Sequence, residues 1–215
     1  MSRSSALVPV RNEILHLSQG RVLTLHLAVT NIANAFRLDP LAMGHAKRIV
    51  LMAGAFDAPG NTSAVAEFNV YADPFAAHIL LGASSAAMRP LPITVVPLDI
   101  TTKHEVPFDD LITVVENLDA PPLERFVSVV LDRPRKVLKL LGYPDAFEMH
   151  DPLAAYFSLM HAGVGTGELL DGWITEKRSF MVERVGEHTK GMLVVDRRFV
   201  YPKPIQALQL TRCSV

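Results

Sequence analysis

Cysteine is almost absent from this chain, Cys213 being the only one in 215 residues. A lone thiol builds neither an intramolecular disulfide nor a thiolate metal site, and such poverty points to a reducing, cytoplasmic compartment. Long apolar runs are also missing. The longest, such as Ile49 to Phe56 and Ile93 to Leu98, fall far short of the roughly 20 residues that a spanning helix needs. Met1 to Glu13 lacks an apolar core and a small-residue cleavage site, so no secretory signal is expected. Neither sign of charge dominates: 21 Lys+Arg stand against 22 Asp+Glu, for a formal net charge of −1. Without a basic run interleaved with aromatics, capture of nucleic acid or of an anionic membrane is not expected. The chain also lacks a G-x-S-x-G elbow, a phosphate-cradling G-x-x-x-x-G-K and any metal-ligand spacing among its histidines.

What is present is enough apolar chain for a sizeable core, with 49% hydrophobic and 20% charged residues. No repeat, low-complexity tract or linker divides it, and it reads as one domain. Short β-branched runs alternate with helix-length segments, which predicts an α/β protein. Arg21 to Leu27 alternates as a strand, and Thr30 to Arg37 reads as a helix entered through Thr30 or Asn31. Ile49 to Met52 is continuously apolar and suits a central strand buried on both faces. Pro92 to Leu98 is the next strand, and Arg178 to Val185 with Met192 to Asp196 forms a late pair. Helices are expected after Asp39-Pro40, Asp73-Pro74 and Asp151-Pro152, because Asp caps and Pro fits the first turn. Phe108 to Asn117 and Leu123 to Leu141 read as helices too, Pro134 kinking or splitting the second.

Ala53 to Ala66 is a small-residue loop placed directly after the Ile49–Met52 strand, where open α/β sheets bind ligands. The densest polar cluster follows it: Asn61, Glu67 and Asn69. In extended chain Glu67 and Asn69 point to one side and Phe68 points away into packing. Amides and carboxylates so grouped suit the vicinal hydroxyls of a sugar, and equally suit a polar turn that satisfies its own backbone. His150-Asp151 joins a group able to protonate a leaving group to one able to bind a divalent cation, although Asp151-Pro152 is also an ordinary helix start. Thr166 to Glu168, beside Gly163 to Gly167, reads as a surface connection rather than an anion loop, and Cys213 as inert.

The string Arg48 to Ala77, RIVLMAGAFDAPGNTSAVAEFNVYADPFAA, closely resembles the signature segment of the inosine-uridine preferring nucleoside hydrolase family. The resemblance continues through Val29 to Ala33, Ile93 to Thr101 (ITVVPLDIT), His150 to Ala154 and Gly191 to Arg197 (GMLVVDR), spanning roughly Val22 to Leu210. It implies an open, Rossmann-like doubly wound α/β sheet, the nucleoside hydrolase fold, over residues 21–215, with 1–20 as an extension unlike the family. The implied reaction is hydrolysis of the N-glycosidic bond of purine or pyrimidine ribonucleosides to ribose and free base. By the same resemblance Asn61, Glu67 and Asn69 bind the ribose hydroxyls, and His150 stands near the leaving base as an acid. Thr30, through its main-chain carbonyl, and Asp151 ligate a Ca²⁺. The partner is a small-molecule nucleoside, and a homo-oligomer is implied.

The chain also departs from the family pattern. The Asp-rich cluster D-x-D-x-x-x-D-D, which supplies most calcium ligands and the general base, has no counterpart: Met1 to Gly20 holds one acid, Glu13. Leu27-Ala28 replaces the family's Gly-Pro ahead of Thr30-Asn31. A hard cation takes about six to eight oxygens, so Thr30 and Asp151 alone predict calcium affinity in the millimolar range or weaker. The pattern also predicts a sheet incomplete at its first strand, with unpaired edges that favour instability or association. Asp57 or Asp99 is expected to replace the missing acid if the chain is active. The alternative is a catalytically inactive homologue that keeps nucleoside binding or a subunit interface.

Overall fold

The computed structural model describes residues 22–25, 29–43, 45–46, 48–86, 91–112, 119–162, 173, 175–196 and 207–210. Three strands, β1 (Val22–Leu25), β2 (Arg48–Met52) and β3 (Ile93–Val96), form a parallel sheet in that order. Leu23 stands opposite Ile49, and Ile49 opposite Ile93. The continuously apolar run is thus the middle strand. Its residues alternate between two cores, because successive side chains leave a pleated strand on opposite faces. Ile49 and Leu51 pack with Ile32, Ala33 and Ala35 of α1 (Thr30–Leu38) and with Ala77, Leu80 and Leu81 of α4 (Pro74–Ala86). Val50 and Met52 pack instead with Leu153, Ala154 and Phe157 of α8 (His150–Ala162) and with Trp173. Each fully buried Ile, Leu or Val among them contributes about 1.5–3 kcal/mol. Helices covering both faces of a parallel sheet are the doubly wound arrangement the sequence predicts.

Short elements complete the connections: α2 (Pro40–Met43), α3 (Phe68–Ala72) and α5 (Leu98–Thr101). The start at Asp39-Pro40 holds, and the helix after Asp73 runs on to Ala86. The late strand pair is present as β7 (Phe180–Val182) against β8 (Leu193–Val195), antiparallel, with Phe180 opposite Val195. Phe180, Val182 and Leu193 close the first core, Phe180 meeting Phe56 edge to face at 5.2 Å. The turn before β8 has φ +79° at Gly191, and a Cβ there would stand 2.6 Å from the Tyr71 Cα in α3. That approach requires glycine. A further antiparallel pair joins β6 (Thr175–Arg178) to β9 (Ala207–Leu210).

Backbone contacts divide the chain into two compact units, Met1–Ile100 with Asp151–Val215, and Thr101–His150. The second holds β4 (Glu105–Pro107), antiparallel to β5 (Ala146–Glu148), with α6 (Phe108–Leu111) and α7 (Pro122–Leu140). The expected helix from Phe108 ends at Leu111, and 113–118 lie outside the described residues. α7 runs through Pro134 as one helix rather than splitting there. Proline removes one N–H donor to the Val130 carbonyl, and Val130 lies on the exposed side, where water can take up that carbonyl. Phe108 is buried beneath Phe147 and beneath the Arg135 guanidinium, which bonds Asp109 and Asp145. No helix among the described residues is long and apolar enough to cross a membrane.

Candidate active site

The loop that leaves the C-terminal end of β2 is organised by two buried carboxylates. Glu67, 1% exposed, caps α3: its Oε1 accepts from the Asn69 N–H at 2.7 Å, and its Oε2 from Val70 N–H at 3.2 Å. The same Oε2 accepts from the Gly54 N–H at 2.8 Å, tying both ends of the loop to one side chain. Asp99, at the start of α5, does the same for the segment beyond Gly54. Its Oδ2 accepts from Phe56 N–H at 2.8 Å, and its Oδ1 from Asp57 and Ala58 N–H at 2.7 and 3.0 Å. Buried amides need acceptors, and a carboxylate supplies several within one side chain.

The two amides are fixed by complementary ends. Asn69, 6% exposed, donates from Nδ2 to the Met52 carbonyl at 2.9 Å, a bond that does not use its Oδ1. Asn61 accepts at Oδ1 from Phe68 N–H at 3.0 Å, which does not use its Nδ2. Asn61, Glu67 and Asn69 are thus brought together around α3 at the end of β2, but not on extended chain. Residues 68–72 are helical, and Phe68, expected to point into packing, is 58% exposed. The physical reason is the Glu67 cap, which turns the chain into α3 immediately after one extended residue with φ −81° and ψ 148°.

Thr30 is the first residue of α1 rather than its cap. Val29 precedes the helix without a side-chain cap, while Thr30 Oγ1 donates to Asp73 Oδ2 at 2.6 Å. Asp73 in turn accepts from Ala76 N–H at 3.0 Å, capping α4 as its sequence predicts. Asp151 is exposed in the first turn of α8, since the helix already begins at His150. Among the described residues no group of three or more His, Cys, Asp or Glu is placed to hold a metal. A cation needing about six to eight oxygens finds only the Thr30 carbonyl and Asp151 assigned to it. The described residues therefore do not fit a calcium site on their own.

His150 belongs to the smaller unit, where both its ring nitrogens are engaged. Nδ1 lies 2.8 Å from Thr101 Oγ1, and Nε2 lies 2.8 Å from Glu148 Oε2. Sequence reasoning missed Glu148. The available signal was the i, i+2 spacing of Glu148 and His150 on extended chain, which puts both on one side. Of the aromatics after Asp151, Phe157 is buried 5.2 Å from Trp173, a core role, whereas Tyr156 is half-exposed. Cys213 and Thr166 to Glu168 lie outside the described residues.

The sequence pattern of the inosine-uridine preferring nucleoside hydrolases matches residues 17–213. The chain belongs to that family. It is 34% identical over 176 residues to the inosine-uridine preferring nucleoside hydrolase of Crithidia fasciculata, covering 82% of this chain and 50% of that one. The Leishmania major protein of the same name is 34% identical over 181 residues, covering 82% and 49%. The chain thus spans about half the length of the curated relatives it matches. The structure resembles a purine-preferring ribonucleoside hydrolase from Gardnerella vaginalis with a TM-score of 0.75 at 22% identity, covering 100% of this chain and 62% of that one. At that identity the likeness shows the nucleoside hydrolase fold, in agreement with the sequence reading.

Proposed function

We propose that this chain hydrolyses the N-glycosidic bond of ribonucleosides, with the loop after β2 as the ribose platform. The supporting observation is the pairing of a free-ended donor with a free-ended acceptor in a member of this family. Asn61 has its Oδ1 bound to backbone, so its amide donates outward, and Asn69 has its Nδ2 bound to backbone, so its carbonyl accepts. Vicinal hydroxyls both donate and accept, so a ribose diol is complementary to that pair. Glu67 holds Asn69 by its backbone and places a buried negative charge beside it. As the glycosidic bond breaks, positive charge develops on the sugar, and a fixed carboxylate and an amide oxygen stabilise it electrostatically. His150, in this reading, gives a proton to the departing base.

Base preference is left to experiment, since the named relatives differ in it. The site residues Asn61, Glu67, Asn69 and His150, cytoplasmic residence and self-association belong to this proposal. Ribose release from inosine and from uridine by the purified chain, with calcium and with chelator, tests it. Turnover that is lost with Asn61→Ala supports the platform. Calcium dependence would require ligands beyond the group described above, and binding of nucleoside without turnover by the folded chain would favour the inactive-homologue reading.

A further inference from the structure

The smaller unit contains a hydrogen-bonded chain of carboxylate, imidazole and hydroxyl: Glu148, His150 and Thr101. Its two ends differ in surroundings. Thr101 is fully buried, whereas Glu148 has a half-exposed side chain on β5 and His150 is about a quarter exposed. A carboxylate oxygen can only accept, so the 2.8 Å contact requires the proton on Nε2. In the neutral ring Nδ1 is then the acceptor and takes the Thr101 hydroxyl proton, and in the charged ring it donates to the same oxygen.

We propose that Glu148 is a positioning residue that fixes His150 as the Nε2–H tautomer, with Thr101 holding the opposite side of the ring. The consequence is directional. The interior nitrogen is committed to Thr101, so any proton the charged His150 ring passes to a ligand leaves from Nε2, the side that Glu148 orients, and the ring is left neutral with its remaining proton on Nδ1, donated to Thr101 Oγ1. A ligand base that takes this proton does so in competition with Glu148. That last step rests on the proposed hydrolase function, whereas the tautomer does not.

Nitrogen-15 NMR of the labelled full chain, at a pH where the ring is neutral, reads the tautomer directly. The expected result is a pyrrole-type Nε2 and a pyridine-type Nδ1 in the unchanged chain. Glu148→Gln, which keeps an acceptor oxygen, retains that signature. Glu148→Ala shifts both resonances toward a mixed population, with the circular dichroism spectrum unchanged. An Nδ1–H tautomer in the unchanged chain, or identical shifts in Glu148→Ala, would overturn the assignment. Should Glu148→Ala lose its fold, Thr101→Val provides the second arm: release of Nδ1 broadens its resonance while Nε2 stays pyrrole-type. Loss of the Nε2–H tautomer in Thr101→Val would contradict the dominant role given to Glu148. If the chain turns over nucleosides, Glu148→Ala lowers kcat by up to about 100-fold with KM little changed, within the range of general acid catalysis. The tautomer without any turnover would reject the hydrolase reading alone, and turnover without it would reject the positioning role alone.

Discussion

Glu67 and Asp145 are both carboxylates that accept more than one hydrogen bond, but they sit in opposite surroundings. Glu67 lies in the larger unit, closed off from solvent, and its donors are backbone amides of Gly54, Asn69 and Val70. Asp145 lies on the surface of the smaller unit, and its main donor is the Arg135 guanidinium, which also reaches Asp109 at 2.7 Å. The first carboxylate determines where the chain goes, since without it three amides lose an acceptor away from water. The second joins side chains that water would solvate almost as well. Ion pairs are therefore a poor guide to what holds this protein together, and buried caps a good one.

The comparison is broken most severely at its buried end. Glu67→Ala should destabilise the fold by about 4 kcal/mol, the cost of orphaning several buried amides at once, read from the urea midpoint. Asp99→Ala should cost about 3 kcal/mol by the same reasoning, because its three donors from Phe56, Asp57 and Ala58 are less deeply buried. A cost below about 1 kcal/mol for either would remove the distinction. Gly191→Ala should cost about 2 kcal/mol or more, since it combines a left-handed backbone with the close approach to Tyr71.

The smallest effect belongs to the surface. The Arg135 hydrogen bonds hold the Asp145 carboxyl below its ordinary value. A depressed folded value contributes stability that is complete above the unfolded value, near 3.9, and is lost as pH falls below it. Arg135→Ala should thus differ slightly from the unchanged chain at neutral pH, and that difference should shrink as pH falls below about 4 in acid titrations followed by circular dichroism. A difference that grows on acidification would reverse the assignment.

Much of the fold was legible in the sequence because its signals were long or redundant. Ile49 to Met52 has no polar position, which fits a strand covered on both faces, and the structure divides its residues between two cores. Asp73-Pro74 carried two independent start signals, and α4 begins there. The site was harder. Glu67, Phe68 and Asn69 are too few to separate a period of two from a helical turn, so the pattern read as extended where a cap and helix stand. The alternative reading of those residues, side chains satisfying their own backbone, describes Glu67 and much of Asn61 and Asn69. Long-range bonds left no local trace at all. Nothing near Thr30 announces Asp73, 43 positions away, and nothing in the Asp99 segment announces the amides of the loop after β2.

The most direct test of the ribose platform compares Asn69→Ala with the unchanged chain, measuring kcat/KM for inosine alongside the urea midpoint. The account predicts a loss of about 2 to 4 kcal/mol in transition-state stabilisation, well above the roughly 1 kcal/mol expected for one hydrogen bond to Met52. Equal kcat/KM in the two proteins would contradict it.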